Sequence, residues 1–317
     1  MDKSTERSKL VRQKITENNG AISKRSLAKL LHQQYPKQFK SEESARDAIR
    51  YATGDSGKVH RINATKVEWE IPEGDECGYE DFTMPLSSNN ILVLTDIHFP
   101  YHNKKNIEKA LNEGIKQGCN AIYLNGDTLD FHKGSVYAHE KSYKEMAEEV
   151  EYFKIFISEL KKNFDVPIYF KIGNHEVRWE RMLRENPQFN SFEEFQLSSI
   201  LKFGENNITE VKSKQETRCG KFSLWHGHEF HGSGGIDPAK WLFERTLRSG
   251  ACGHFHRHKS FIAYNGTENI ETYSMGCLSE LRPNFMPHQR ATQTWVNGYG
   301  ILNWDKEHFE FQNIIIK

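Results

Sequence analysis

Residues 91–98 read ILVLTDIH, and residues 121–130 read AIYLNGDTLD. In each segment a short apolar run, typical of a buried strand, leads directly into acidic or histidine side chains. Residues 167–176, PIYFKIGNHE, repeat the pattern. Helical patterns at about 104–117 and 141–162 separate these three segments. The order βαβαβ predicts a sheet with parallel strands at its centre and helices on its faces.

Two later segments end in the same way. KFSLWHGH at residues 221–228 and SGACGHFH at residues 249–256 each follow an apolar run with glycine and histidine. Because the carboxyl ends of parallel strands meet at one edge of a sheet, the polar clusters are expected to converge there. Their side chains are those of Asp96, His98, Asp127, Asp130, Asn174, His175, Glu176, His226, His228, His254 and His256.

The clustered side chains suit a site for two metal ions. Carboxylates and imidazoles together favour zinc, manganese, iron or nickel over calcium. An aspartate can bridge two ions, and two ions about 3.5–4 Å apart clamp an oxyanion and lower the pKa of a bound water. The alternative is that a histidine has ordinary polar partners in the core or on the surface and binds no metal. We expect this of the histidines outside the clusters. Five clusters in succession, each after an apolar strand, favour the metal site.

The motifs DxH, GDxxD, GNHE, HGH and GHxH occur in this order and resemble the calcineurin-like metallophosphoesterase superfamily over about residues 90–317. The resemblance implies an α/β fold with two mixed β-sheets packed as a sandwich and flanked by helices. It also implies metal-dependent hydrolysis of phosphoesters, with two divalent ions as cofactors. Mn²⁺ is the expected metal, and Fe, Zn and Ni are the alternatives.

The resemblance implies three ligands for one ion, three ligands for a second ion, and an aspartate that bridges the two. In that order, the implied ligands are Asp96, His98 and His256, then Asn174, His226 and His254, then the bridging Asp127. His175 resembles the histidine that does not bind metal but steadies the transition state and protonates the leaving oxygen. Asp127 and His175 are therefore the predicted catalytic residues.

Four further residues are expected beside the ligands. We expect Glu176 to orient a histidine that binds metal, without binding the metal itself. Arg178 follows His175 by three residues, so on a helix it would face the site and touch a phosphate; a solvated or salt-bridged arginine is the alternative. Asp130 is expected to be structural or to support a ligand, and His228 to line the pocket.

The N-terminal part predicts a separate domain over residues 1–71. Three helical patterns (5–18, 21–31 and one from Ser41) precede two short alternating strands, VHRI and KVEWEI, which is the order of a winged helix-turn-helix. Residues 1–70 hold 15 Lys+Arg and 9 Asp+Glu, a net charge of +6, whereas the remainder is net −6. This distribution favours nucleic acid as a partner, with a plain helical cap as the alternative.

The remaining chain divides into a linker and a catalytic domain. Residues 72–90 are polar and rich in turn-formers, so we predict a linker there, with the catalytic domain at 91–317. The length of 317 residues and the 37% hydrophobic content suit one large domain and a small one. The five cysteines are never spaced as CxxC, which argues against a disulfide framework.

The sequence also yields expectations about location and partners. It has no apolar run near the ~20 residues that span a bilayer, and its charged N-terminus does not resemble a secretory signal. We expect a cytoplasmic protein with no membrane partner. The N-terminal segment and the later CLSEL resemble uncharacterised metallophosphoesterases of bacteriophages and prophages, which implies a bacterial or phage-infected cell. The oligomeric state stays open, with a homodimer as one option.

The substrate is the least determined property. The leading hypothesis is a nuclease that acts on DNA, because a basic N-terminal domain could deliver the enzyme to a polyanion. The choice between DNA and RNA remains open, and so does the choice between endonuclease and exonuclease action. The alternative is a phosphatase or small (cyclic) nucleotide phosphodiesterase whose N-terminal domain serves oligomerisation or partner binding. An inactive DNA-binding regulator is a third hypothesis, against which the complete ligand set argues.

Overall fold

The protein was analysed as a computed structural model that describes residues 6–57, 69–74, 78–136, 144–283 and 292–317. The chain forms two compact units, Met1–Cys77 and Gly78–Lys317. Within the described residues, no helix has the length and apolar character needed to cross a membrane.

The smaller unit contains three helices: α1 (Glu6–Asn18), α2 (Lys24–Gln34) and α3 (Glu42–Ala52). Ser23 and Ser41 cap α2 and α3, because each hydroxyl accepts a hydrogen bond from the backbone N–H three residues later. The buried apolar residues of the unit are Val11, Leu27, Ala28, Leu31, Phe39, Ala45 and Ile49. The predicted strand VHRI and the first half of KVEWEI (66–68) lie outside the described residues, so the winged helix stays a prediction.

The larger unit is built on twelve described strands. They are β1 (Phe82–Thr83), β2 (Asn90–Leu94), β3 (Ala121–Asn125), β4 (Ile168–Lys171), β5 (Ile208–Val211), β6 (Thr217–Cys219), β7 (Phe222–Trp225), β8 (Ser249–Cys252), β9 (Lys259–Tyr264), β10 (Asn269–Ser274), β11 (Gly298–Trp304) and β12 (Phe309–Ile315). The first sheet has the order β1-β6-β7-β8-β10-β9, and the second has the order β12-β11-β2-β3-β4-β5.

Both sheets are mixed. In the second sheet β2, β3, β4 and β5 run parallel, while β11 is antiparallel to β2. In the first sheet β7 and β8 are parallel, and β6 is antiparallel to β7. The predicted parallel βαβαβ core and the two mixed sheets are thus confirmed. The predicted strand KFSLWH corresponds to β7, which lies in the first sheet.

Helices connect and cover the strands. They are α4 (Lys104–Lys116), α5 (Met146–Asn163), α6 (Glu176–Glu185), α7 (Pro187–Asn190), α8 (Leu197–Ile200), α9 (Phe203–Asn206) and α10 (Pro238–Thr246), with short 3₁₀ turns at His132–Gly134 and Glu193–Phe195. Helix α4 begins at Asn103, whose side chain caps it, and α5 carries a capping box between Glu145 and Glu148.

Alternating residues of the central strands enter two different cores, because side chains on a strand point to opposite faces in turn. Val93 and Tyr123 pack with Phe222 of the first sheet in the core that both sheets share. Leu92 and Phe153 belong to the core that includes the helices. Burying each such side chain contributes about 1.5–3 kcal/mol. The double-sided burial explains why these strands read as continuous apolar runs.

Residues 78–90 belong to the larger unit, although the sequence analysis assigned them to a linker. Strand β1 pairs in parallel with Thr217–Arg218 of β6. Met84 is 2% exposed and contributes to the core between the sheets, and Ser88 is 1% exposed. Because the segment is mainly polar, its composition did not indicate that a few apolar side chains attach it to the sheet.

Candidate metal centre

The candidate ligands follow the ends of five strands. Asp96 and His98 follow β2, Asp127 follows β3, Asn174 follows β4, His226 follows β7, and His254 and His256 follow β8. Strands β2, β3 and β4 belong to one sheet, and β7 and β8 belong to the other. The site therefore forms only when the two sheets pack against each other.

The backbone at these strand ends turns sharply. Five of the candidate ligands have a positive φ: Asp96 (54°), His98 (53°), Asp127 (50°), His254 (65°) and His256 (55°). This conformation is unfavourable for residues other than glycine and costs on the order of 1–3 kcal/mol each, so the surrounding structure must enforce it. One such constraint is the hydrogen bond from the His98 N–H to the Asp127 carbonyl, at 2.9 Å.

Side-chain atoms that could bind metal form three overlapping groups in the described chain. The groups are Asp96–His98–His256, His98–Asp127–His175 and Asp127–His226–His254, and within each the ligand atoms lie within 4.8 Å of one another. Asp127 is common to two groups. In addition, the Asn174 Oδ1 lies 3.1 Å from the His226 Nε2, so the predicted ligand set converges in space. His175 also lies close enough to be counted in one group.

Hydrogen bonds fix which nitrogen of two histidines is available. The Nδ1 of His98 bonds to the Asp130 carboxylate at 2.9 Å, and the Nδ1 of His226 bonds to the Asn125 carbonyl at 2.7 Å. In both rings Nδ1 donates to an oxygen, which leaves Nε2 to face the site. Burial would lower the pKa of His226, but Asp127 raises it to about 10, so a metal ion would have to displace the proton on its Nε2. The His98 Nε2 faces the His256 Nε2 at 3.3 Å. Converging lone pairs beside carboxylates are what a divalent cation needs, so these residues fit a metal.

The charges of the site also suit a cation. Burial alone would raise the pKa of Asp96, but His256 outweighs it and lowers this pKa to about 2. Burial, reinforced by the charge on His226, lowers the pKa of His254 to about 4. At neutral pH this carboxylate is ionised and this imidazole is neutral, which are the forms that bind metal.

His175 lies directly before α6 and contacts two aspartates. Its backbone N–H donates to the Asp127 Oδ1 at 2.9 Å, and its Nδ1 bonds to the Asp130 carbonyl at 2.7 Å. Burial would lower the pKa of His175, but Asp127 and Asp130 outweigh burial and raise it, with Arg178 opposing them. Its Nε2 lies 3.8 Å from the Asp127 Oδ2. This imidazole is placed to hold a proton beside the predicted metal bridge.

Asp130 supports two imidazoles at once. Its Oδ1 lies 2.9 Å from the His98 Nδ1 and 3.2 Å from the His175 Nδ1, and its side chain is fully buried. Arg178 binds the same region, since its Nη1 donates to the Asp130 carbonyl at 2.8 Å and its Nη2 lies 3.1 Å from the His175 Nε2. Its Nη1 also lies 4.0 Å from the Asp130 Oδ2, as the alternative of a salt-bridged arginine would have it, and contact with a phosphate stays a prediction.

Glu176 acts on the backbone, which differs from the expectation that it orients a ligand histidine. Its carboxylate accepts hydrogen bonds from the N–H groups of Asp127 (3.0 Å), Leu129 (2.9 Å) and Gly173 (2.9 Å). It therefore joins the loop after β3 to the loop after β4. The sequence could not show this role, because the acceptor and two of its donors are more than 40 residues apart.

His228 lies outside the three groups of the described residues. Its Nε2 bonds to the Ser213 hydroxyl at 2.7 Å, and burial, reinforced by the charge on His226, lowers its pKa to about 3. Of the two histidines in HGH, His226 is thus the one that the fold brings to Asp127, with its Nε2 3.2 Å from the Oδ2.

Glu149, on α5, is a buried residue near the site that was not predicted from the sequence. Its Oε2 accepts the Phe131 N–H at 2.5 Å, and it is 1% exposed. Phe131 directly follows Asp130, so Glu149 supports the loop that carries this aspartate. A signal was present: Glu149, Phe153 and Ile157 recur at a spacing of four and therefore share the buried face of the helix.

Comparison with known proteins identifies the family. The model of the calcineurin-like phosphoesterase family matches residues 90–274, and the chain belongs to this family. Calcineurin-like phosphoesterases are metal-dependent hydrolases of phosphoric esters. A search of curated protein sequences gives no significant match.

Solved structures with a similar fold include three named enzymes. YfcE, a phosphoesterase from E. coli, is 16% identical, with a TM-score of 0.34 over 72% of this chain and 97% of its own. A Pseudomonas putida nuclease, MPE, is 13% identical, with a TM-score of 0.31 over 70% of this chain and 87% of its own. A dimetal phosphatase from Danio rerio is 9% identical, with a TM-score of 0.37 over 71% and 96%.

Proposed function

We propose that this phosphoesterase uses a dinuclear metal centre to hydrolyse phosphodiester bonds and that it acts as a nuclease on DNA. The observation that supports two ions is the position of Asp127. Its carboxylate belongs to one group with His98 and to another with His226 and His254. A single aspartate between two sets of imidazoles is the arrangement that a metal bridge requires.

The proposed ligands form two sets, one for each of the two ions that Asp127 would bridge. One ion would be held by Asp96, His98 and His256, the other by Asn174, His226 and His254, and Asp127 would contribute to both. We propose Mn²⁺ as the metal. Bound divalent ions would supply Lewis-acid activation of water and neutralise charge on the phosphoryl oxygens.

The chain itself supplies the proton chemistry. In our proposal His175 gives a proton from Nε2 to the leaving oxygen, which requires the Arg178 Nη2, a donor 3.1 Å from this nitrogen, to turn away first. Asp130 orients this ring through the contact with its Nδ1, and both neighbouring aspartates favour the charged imidazole. Arg178 holds the same carbonyl of Asp130 and keeps the ring from turning.

The preference for a nucleic acid is supported by the charge of the N-terminal region. Residues 1–70 are net +6 in an otherwise acidic chain. Lys24 and Arg25 on α2, and Arg46 and Arg50 on α3, are all exposed. Exposed cations on neighbouring helices attract phosphate backbones by releasing condensed counterions. We therefore propose that this unit recruits the nucleic acid.

The test compares a diester with a monoester. Purified protein is incubated with Mn²⁺ and either bis-p-nitrophenyl phosphate or p-nitrophenyl phosphate, and release of nitrophenolate is followed. Asp127→Ala is the control for contaminating phosphatases. We expect faster hydrolysis of the diester, followed by cleavage of labelled DNA. Preference for the monoester would contradict the nuclease proposal and favour a phosphatase, while leaving the metal centre in place.

A further inference from the structure

Lys171 and Glu229 form a buried ion pair next to the metal centre. The Lys171 Nζ lies 2.9 Å from the Glu229 Oε1, and the side chains are 0% and 6% exposed. Lysine is almost never fully buried unless its charge is paired. Lys171 also ends an otherwise apolar strand, IYFK, where the central sheet accepts mainly hydrophobic residues. An ionic pair at this position therefore needs an explanation beyond packing.

The pair connects the two sheets at the strand ends that deliver metal ligands. Lys171 is the last residue of β4 in the second sheet, and Glu229 follows β7 of the first sheet. The same strand ends lead to Asn174 and to His226, whose Oδ1 and Nε2 atoms lie 3.1 Å apart. The pair thus lies between the two pieces of backbone whose separation sets this half of the metal centre.

The contacts of the pair act directly on the turn at His226. The Glu229 carboxylate accepts the backbone N–H groups of His226 (2.9 Å) and Gly227 (2.6 Å). On the other side, the Lys171 ammonium donates to Glu229 and to the carbonyls of Lys212 and Gln215. These three acceptors match the three donors of an ammonium group, so the network is fully satisfied and rigid.

We propose that Lys171 and Glu229 are positioning residues that fix the backbone of His226 and thereby set the metal affinity of the Asn174–His226–His254 half of the centre. The inference rests on the proposed function, since it presupposes a metal ion at that half. Buried ion pairs often contribute little net stability and can be replaced by apolar pairs. A role in positioning predicts that such a replacement restores the fold without restoring metal binding.

The experiment measures two properties of the full-length protein: Mn²⁺ binding by equilibrium dialysis, and thermal unfolding of the metal-free form. The variants are Lys171→Met and the double variant Lys171→Met/Glu229→Met. Lys171→Met leaves a buried unpaired charge, so it has the lower melting temperature. The double variant removes this charge and recovers part of the stability, although the N–H groups of His226 and Gly227 lose their acceptor. We expect both variants to bind one ion about 10–100-fold more weakly than the wild type, the range found when groups that orient ligands are removed.

The outcomes separate positioning from stability. If the double variant regains wild-type Mn²⁺ affinity together with its melting temperature, the pair is only structural and the inference is overturned. Arg218→Met is the matched control, because it breaks a partly exposed ion pair with Asp81 in the first sheet, and it should bind Mn²⁺ normally. Should Lys171→Met fail to fold, the double variant and the milder Glu229→Gln carry the test. A wild-type protein that binds no Mn²⁺ would refute the proposed metal centre as well.

Discussion

The Nδ1 of His98 and the Oδ1 of Asp130 lie 2.9 Å apart with both side chains buried, and this contact turns the His98 Nε2 toward the metal centre. We expect Asp130→Asn to weaken Mn²⁺ binding by about 10–100-fold, because an amide stabilises the required tautomer less well than a carboxylate. Equilibrium dialysis measures the change. Asp165→Asn, at an exposed aspartate, is the control. Equal affinity of Asp130→Asn and the wild type would exclude this role.

Removal of His175 should separate chemistry from metal binding. We expect His175→Ala to keep its Mn²⁺ and to lose about 10²–10⁴-fold in kcat, which is the usual contribution of a general acid. The loss should be smaller for substrates with a good leaving group, because they need less protonation. Steady-state rates and metal content are measured on the same preparation. If His175→Ala also loses an ion, this residue is a ligand, as its place among the metal-binding groups allows.

Gly173 is expected to tolerate no side chain. A Cβ at this position would collide with both the amide nitrogen and the carboxylate Oδ1 of Asp127, so the loop that carries this aspartate would have to shift. We expect Gly173→Ala to reduce Mn²⁺ affinity and activity together. Gly204→Ala, where a Cβ would meet nothing within 4 Å, should behave like the wild type in the same assays.

Glu149 makes stability depend on pH in a defined direction. Burial, with a smaller contribution from Asp130, raises its pKa from 4.5 to about 8. Between these values the folded protein holds a proton that the unfolded chain releases, so the contribution to stability is complete below pH 4.5 and is lost as the pH rises to about 8.

Glu149→Gln should remove this dependence. We expect the metal-free variant to melt at the wild-type temperature near pH 5 and about 10 °C above it at pH 9. Raising the pKa from 4.5 to about 8 corresponds to about 4 kcal/mol, and 1 kcal/mol shifts the melting temperature of a domain of this size by about 2–4 °C. Calorimetry over this pH range measures the difference. A constant difference at all pH values would show that the carboxyl group does not titrate in this range.

The exposed arginines of α3 test the nucleic-acid proposal. We expect Arg46→Ala/Arg50→Ala to weaken DNA binding and to reduce the slope of log K against log salt by about 2, one per lost phosphate contact. Hydrolysis of bis-p-nitrophenyl phosphate should be unchanged, because this small diester does not need recruitment. Unchanged DNA binding over a range of salt concentrations would contradict a role for α3 and favour an N-terminal unit that serves another purpose.

Local pattern was sufficient for much of this protein. The apolar runs of β2, β3 and β4 are buried on both faces, so their composition alone indicated parallel central strands. The polar clusters after them marked the site, because side chains at the ends of parallel strands must meet at one edge. The start of α3 at Ser41 was also predicted, since capping depends on neighbours three residues apart.

Only the tertiary structure determined which buried charges serve the site. Lys171 and Glu229 are 58 residues apart in sequence and meet because β4 and β7 belong to two packed sheets. Glu176 reaches back to the loop at Asp127 because β3 and β4 are neighbours in one sheet. Sequence patterns report the local period of burial, whereas the partner of a buried charge is set by the packing of distant segments, where desolvation makes an unpaired charge costly.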